Sequence, residues 1–462
     1  LVRNLTKGKP FPIIMRFCVP ILLGSVLQQL YNLLDAFIVR RYVGLAEMGA
    51  VLSTGPLNFL VIGFVIGLCA GFSIPVAKSF GGGDIPETRK RAANALYLCG
   101  LFALAMTALM VSFARPLLVI MQTPAETLDA AYNYIIVIFA GIPAFMMYNI
   151  LVALMRALGD SKTPLYFLSA SCVLNILVTL LFVAVFGWGT KGAGAATIVS
   201  QAFAVTLCLI HIRRHHPILR LKRADARPCR KRAAKLLLNG VPMALQFAIT
   251  AIGTVIIQRA VNDFGPVVVS AIGVAGRLQI MLMQPMEAVG ITMATFCAQN
   301  LGAGQYGRIK NGIKISLTAV LIYSIAAGAL IIFGGGVLAG LITGEEGAQA
   351  MTYIRQFQLV NGAMYWSLGL LFIMRNSVQG LGYSGVTMFA GVSELVARGV
   401  VALIMVPRFG FDAVCFANPS AWLLADVMLV VMLVVLLRRV KRKIANKFGN
   451  GVNNVQEVEF QQ

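Results

Sequence analysis

Residues 28–40 read QQLYNLLDAFIVR and place Asp35 inside the first long apolar run of the chain. Apolar residues continue almost unbroken from position 17 to 39, long enough to cross a bilayer as a helix. An ionisable group at that depth is costly unless it faces a protein interior or a wet cavity. Gln28, Asn32 and Asp35, or Gln28, Tyr31 and Asp35, recur at spacings of three and four, which puts them on one helical face. Leu30, Leu33, Leu34 and Phe37 form the opposite face, fit for lipid or a neighbouring helix. The plainer alternative solvates Asp35 at the helix end beside Arg40 and Arg41. Four apolar residues, 36–39, still separate it from that basic pair, so a buried carboxylate in a polar stripe is the expectation.

Working outward, composition marks an integral membrane protein. Mean hydropathy is +0.82 and only 12% of residues are charged. Many of the 45 glycines and 17 prolines lie in or beside apolar runs, as suits closely packed, bent bilayer helices. The eight cysteines are mostly isolated in hydrophobic stretches and read as small core residues, with neither disulfide nor metal-site spacing. His211, His215 and His216 are assigned to one basic loop, with no metal role expected. No small-residue cleavage site follows the first apolar run, so that helix is expected to be retained.

Apolar runs divide the chain into twelve spans: 13–38, 48–75, 92–114, 129–152, 163–185 and 192–211, then 235–260, 267–297, 312–342, 352–374, 383–405 and 414–437. The fold class is therefore all-α and polytopic, with twelve transmembrane helices in two pseudo-symmetric six-helix lobes. The expected domains are an amino-terminal lobe at 1–211, a basic linker at 212–234, a carboxy-terminal lobe at 235–440 and a tail at 441–462. Segments of one parity hold 30 of the 39 basic residues, Arg375 counted among them. The positive-inside rule puts that side, with both termini, in the cytoplasm. The +22 charge is thus a topology signal and calls for no nucleic acid. The linker's basic residues serve as an anchor at the membrane surface.

The chain also repeats itself. The segment 77–83, AKSFGGG, matches 298–304, AQNLGAG, at an offset of 221. LGDS at 158–161 matches LGYS at 381–384, and FGW at 186–188 matches FGF at 409–411, both at 223. An even number of spans per repeat gives parallel halves and a cleft between them, an arrangement suited to alternating access. GGGD at 81–84 lacks the ending of a phosphate loop and reads as a tight turn. No loop is large enough to be a catalytic domain, so no enzyme is expected.

Of seventeen acids, only Asp35, Glu287, Glu394 and Asp426 lie in the interior of spans. Glu394 and Arg398 are four apart and can pair along one face. Glu287 stands beside Met283 and Gln284, a flexible surface fit for varied apolar cations. With Glu394 and Arg398 these residues define a candidate carboxy-lobe cavity. Asn175 and Thr197 can offer oxygens toward Asp35, if their helices pack against the first.

QQLYNLLDAFIVR, the repeated QNLGAG turn, RALGDSKTP paired with VQGLGYSG, and the two six-span halves together resemble the multidrug and toxic compound extrusion (MATE) family. The resemblance covers about residues 10–440. It implies a twelve-helix exporter of organic cations in exchange for sodium or protons. It also implies that Asp35 is the amino-lobe acid, with Asn175 and Thr197 as its partners. The chain departs from the pattern at Thr179, where many relatives carry a second acid, and at Arg40, where glycine is common. The seventh and tenth spans lack the acids some relatives use.

The leading expectation is an antiporter with Gln28, Tyr31, Asn32, Asp35, Asn175 and Thr197 as the ion-coupling and substrate residues. Protons are favoured as the coupling ion, with sodium at Asp35, Asn175 and Thr197 as the alternative; no cofactor is expected. The partners are small organic cations and membrane lipids, and the chain is expected to be a monomer in a bacterial cytoplasmic membrane. A flippase for a lipid-linked precursor would share the architecture, but its anionic cargo would ask for more basic residues within spans than Arg277 and Arg398. A scaffold or receptor leaves the duplicated lobes and Asp35 unexplained.

Overall fold

The computed structural model describes residues 4–448, apart from 122, 124, 221–224, 226, 228 and 344–347. Every element in it is helical. The first half contains α1 (Pro10–Tyr42), α2 (Leu45–Ser53), α3 (Gly55–Gly81), α4 (Ile85–Ile120), α5 (Ala125–Ala140), α6 (Ile142–Ala157), α7 (Lys162–Thr179) and α8 (Gly189–His215). The second contains α9 (Arg230–Asn262), α10 (Pro266–Gly302), α11 (Tyr306–Thr343), α12 (Ala348–Ala363), α13 (Tyr365–Gly380), α14 (Ser384–Val400), α15 (Val406–Phe409) and α16 (Phe411–Phe448). Ten helices are long and apolar enough to cross a bilayer, and two bent pairs, α5–α6 and α12–α13, bring the spans to twelve. Large apolar side chains stand exposed along these helices, Phe333 and Leu403 among them, as the bilayer solvent requires.

Helix geometry carries the repeat further than the sequence does. The bends are 47° between α5 and α6 and 50° between α12 and α13. They fall at Gly141 and Met364, 223 residues apart. A π-helical stretch, Leu180–Val185, follows α7, and another, Val401–Met405, follows α14. The turns repeat as well: Gly83 and Gly304 adopt φ of 76° and 74°, and Gly159 and Gly382 both adopt 85°. L side chains disfavour that region, so glycine is the residue these turns demand. In the 81–84 turn, Asp84 then caps α4 by accepting from the Glu87 amide at 2.9 Å.

Two compact units emerge. The first comprises Val19–Phe80 and Asp84–Ala244, and the second comprises Leu5–Cys18, Gly81–Gly83 and the chain from Leu245. In the first, α8 packs on α5, α6 and α7, and a core of Leu57, Val61, Leu118, Ile135 and Phe139 joins α3, α4 and α5. Gly71 of α3 lies against Gly240 of α9, where an added Cβ would come within 2.5 Å of the Gly240 Cα. In the second, α10 packs on α11, α12 and α13, and α14 packs on α16.

Several boundaries differ from the sequence expectation. α8 continues to His215, so His211 and His215 lie on a helix and only His216 begins the loop. The 212–234 linker ends in helix, because α9 starts at Arg230; part of it, 221–224, 226 and 228, lies outside the described residues. The tail is helical to Phe448, and 449–462 lie outside the described residues. Arg375 sits in α13 and is mostly buried, so it does not count among the loop cations. The described cysteines are free thiols, although Cys69 and Cys99 approach to 3.6 Å. In the turn before α7, burial pushes the Asp160 carboxyl up, but hydrogen bonds from His216 and Thr163 outweigh it and hold the group at about 2.

Candidate functional site

The first unit holds a partly open cavity of about 430 Å³. Gln28, Tyr31, Asn32 and Asp35 of α1 line it, facing Asn58 and Val61 of α3, Tyr134 of α5, and Thr197 and Gln201 of α8. The polar stripe of α1 thus faces a void, while Leu30, Leu33, Leu34 and Phe37 stand exposed on the other side. Among the described residues that line it, Asp35 is the one acid, and none is a lysine or arginine. Gly141, at the bend between α5 and α6, also borders the cavity. A Cβ there would meet Ile198, another lining residue, at 2.4 Å, so the glycine keeps the wall open.

Thr179 is the side chain that holds Asp35. Its hydroxyl lies 3.1 Å from Asp35 Oδ1 and 3.2 Å from Asn175 Oδ1. One hydroxyl has one proton to donate, so it serves one of these oxygens at a time. Asn175 donates through Nδ2 to Ser200 Oγ at 3.3 Å, and Ser200 donates to the Thr197 carbonyl at 2.8 Å. Tyr31 and Thr197 hydroxyls are 3.4 Å apart. A polar chain therefore runs from Asp35 through Thr179 and Asn175 to Ser200 on α8.

The expected trio is only partly one cluster. Asp35 and Thr197 share the cavity, whereas Asn175 is 1% exposed and reaches Asp35 through Thr179. The sequence treated Thr179 as a lost acid, although its position one turn after Asn175 already put the two side chains on one face. Tyr134, Asn58, Gln201 and Ser200 were missed. Each is an ordinary polar residue in an apolar span, and only the packing of α3, α5 and α8 turns them inward. The π-helical stretch begins directly after Thr179, a type of irregularity that recurs at functional sites.

The carboxy-half candidates fall into two groups. Glu394 pairs with Arg398 at 3.5 Å, and it also pairs with Arg375. Arg398 Nε donates to Asn418 at 3.4 Å. Asp426 accepts from Ser367 at 2.5 Å. Met283, Gln284 and Glu287 lie around Pro285 in α10, with Gln284 buried. α10 and α14 both pack on α13.

A chain of apolar spanning helices, duplicated in two halves and holding a carboxylate at a cavity, is a multi-pass membrane transporter and not an enzyme. The sequence matches the MatE family over residues 20–181 and 242–404, more than half of its length, and the chain belongs to that family. It is 28% identical over 356 residues to the probable multidrug resistance protein YoeA of Bacillus subtilis (strain 168), covering 74% of this chain and 76% of that protein. It is 24% identical over 372 residues to an FAD transporter of Shewanella oneidensis, covering 79% and 81%. The fold matches the outward-facing conformation of a multidrug resistance MATE family transporter of the MOP superfamily with a TM-score of 0.89. That match covers 95% of this chain and 98% of the other at 19% identity.

Proposed function

We propose that this protein is a secondary antiporter that exports organic cations or drugs in exchange for H⁺ or Na⁺ by alternating access, with both termini in the cytoplasm. The observation that carries the proposal is the charge of the cavity: one carboxylate, Asp35, with no basic residue in the lining. A carboxylate in an apolar span needs a proton, a metal cation or a cationic cargo to offset its charge. Exchange of cargo for ion at that group couples the two fluxes, because each favours a different conformation. The same charge disfavours anionic cargo. A flavin dinucleotide, the cargo of the Shewanella relative, would bring phosphates to a wall that has no cation to meet them.

Protons are the favoured coupling ion, since a single carboxylate with a hydroxyl donor suffices to bind one. A second reading has a specific observation behind it. Oxygens of Asp35, Thr179 and Asn175 are linked by contacts of 3.1 and 3.2 Å, and oxygen donors suit sodium. Purified protein in liposomes, loaded with a fluorescent organic cation, separates the cases. Cargo movement under a pH gradient without sodium supports protons. Movement under a sodium gradient at fixed pH, with the proton gradient collapsed and lost in Asn175→Ala, supports sodium. Absence of movement under both, in correctly folded protein, would overturn the proposal.

A further inference from the structure

Far from Asp35 along α7 and α8, three side chains converge at the other end of the first unit. Asp160 lies in the turn between α6 and α7, His211 on the last turns of α8, and His216 just beyond its end. One ligand atom of each lies within 4.8 Å of the other two. We propose that Asp160, His211 and His216 form a binding site for a divalent transition-metal ion, with zinc as the best fit.

The local chain explains why these residues meet. His211 and His216 are five apart, a spacing that a continuous helix would not put on one face. α8 stops at His215, and His216 adopts φ −117° and ψ 77°, which turns its ring out of the helical path. The fully buried His216 ring reaches Asp160, with Nε2 at 3.2 Å from Oδ2. Zinc bonds of 2.0–2.1 Å in a tetrahedron separate neighbouring ligand atoms by about 3.3 Å. The His216–Asp160 pair already has that spacing, and a modest swing of the His211 ring completes the set.

Surrounding groups hold the donors in place. Thr163 donates its amide to Asp160 Oδ1 at 3.1 Å and its hydroxyl to Oδ2 at 2.7 Å, fixing the carboxylate plane. The His211 ring stands edge-on to Phe167 at 5.5 Å and stacks on His215 at 4.5 Å. Such outer contacts orient metal ligands and tune their affinity. A second observation also favours a ligand: His211 Nε2 is buried with no hydrogen-bond partner among the described residues. Buried polar atoms are satisfied in the large majority of cases. Two imidazoles and one carboxylate match the donor preference of zinc, cobalt or nickel over that of sodium or magnesium, and they leave a fourth position for water. Arg213 and Arg214 nearby are exposed, so solvent screens their repulsion. A bound ion would fasten the α6–α7 turn to the end of α8, just before the linker into the second half.

The test uses full-length protein purified with a tag free of histidine, stripped of metal by a chelator and titrated with Co²⁺. One equivalent should produce the visible absorption bands of tetrahedral cobalt, and Zn²⁺ should displace them. His211→Gln and Asp160→Asn should each weaken binding by at least about tenfold, the scale at which metal-site groups act. His215→Gln should bind as the parent does, because His215 is exposed and outside the set. Zinc should raise the melting temperature of the parent and leave that of His211→Gln unchanged. His216→Gln removes a fully buried ring and can unfold the turn, so the partly buried His211 carries the decision. Folded parent protein without cobalt bands overturns the site. Bands that persist in both His211→Gln and Asp160→Asn, or that vanish only with His215→Gln, overturn it equally.

Discussion

Replacing Glu394 with glutamine removes one charge from a place where two arginines depend on it. Glu394 is 2% exposed and pairs with Arg375 and Arg398, whose side chains are 11% and 6% exposed. Glutamine keeps the shape but offers one acceptor oxygen, and its amide nitrogen then faces a guanidinium, donor against donor. Both arginines lose their countercharge in an apolar span. Breaking a buried ion pair by removing one partner costs about 3–5 kcal/mol. In a unit of this size each kcal/mol moves the midpoint by about 2–4 °C, so the variant should melt roughly 6–20 °C below the parent. Thermal unfolding followed by size-exclusion fluorescence in detergent measures this directly. A Glu394→Gln protein that melts with the parent but no longer transports would refute the structural role and move Glu394 into the coupling machinery.

Asp35→Asn should insert and fold normally yet lose gradient-driven export. A cation about 4 Å from the carboxylate at an effective dielectric of 20 gains about 4 kcal/mol, reduced where water enters, so cation affinity should fall by at least about tenfold in a fluorescence binding titration. Thr179→Val deletes the hydroxyl between Asp35 and Asn175. A hydrogen bond to a charged group contributes about 1.5–3 kcal/mol, so coupled transport should drop about ten- to a hundredfold, and Thr179→Ser should restore most of it. Gly141→Ala should push Ile198 into the cavity and slow large cargo more than small, read from initial rates with cations of graded size. Gly71→Val places side-chain atoms against the Gly240 backbone, which cannot yield, and should lower the folded yield in detergent.

How legible each feature was depends on how local its cause is. Asp35 stood out because a lone acid in an apolar run has no local partner, and the polar stripe of α1 was visible at spacings of three and four. The twelve spans followed from hydropathy, and the turns from glycines that only left-handed φ explains. Thr179 was legible as a neighbour of Asn175 but not as the hydrogen-bond partner of Asp35, because that contact joins residues 144 positions apart. Arg375 was misplaced for the same reason: its partner Glu394 lies on another helix, and a lone arginine near a span end looks like a loop cation. The histidines show the converse error. Their proximity in sequence suggested a solvated basic loop, whereas the end of α8 buries one of them against Asp160.

The repeat brings the two halves into direct comparison at the offset of 223, and there they diverge in charge. Asn175 corresponds to Arg398, Ser171 to Glu394, Thr179 to Ala402 and Val152 to Arg375. The first half keeps a carboxylate whose hydrogen-bond partner is a neutral hydroxyl. In the second half, Glu394 is instead paired with two arginines, while Asp426 accepts from the Ser367 hydroxyl. A charge compensated by two arginines has little to gain from an incoming ion, so Glu394 should take no part in coupling. The triple variant Arg375→Val, Glu394→Ser, Arg398→Asn gives the second half the residues of the first. Removing the whole set leaves no orphaned member of it, and replacing buried ion pairs together is often neutral or stabilising. It should therefore melt near the parent, well above Glu394→Gln, and export cations with the same charge moved per cargo, measured as current in proteoliposomes on a solid support. A folded triple variant with altered charge stoichiometry would place part of the coupling at these residues and overturn this prediction.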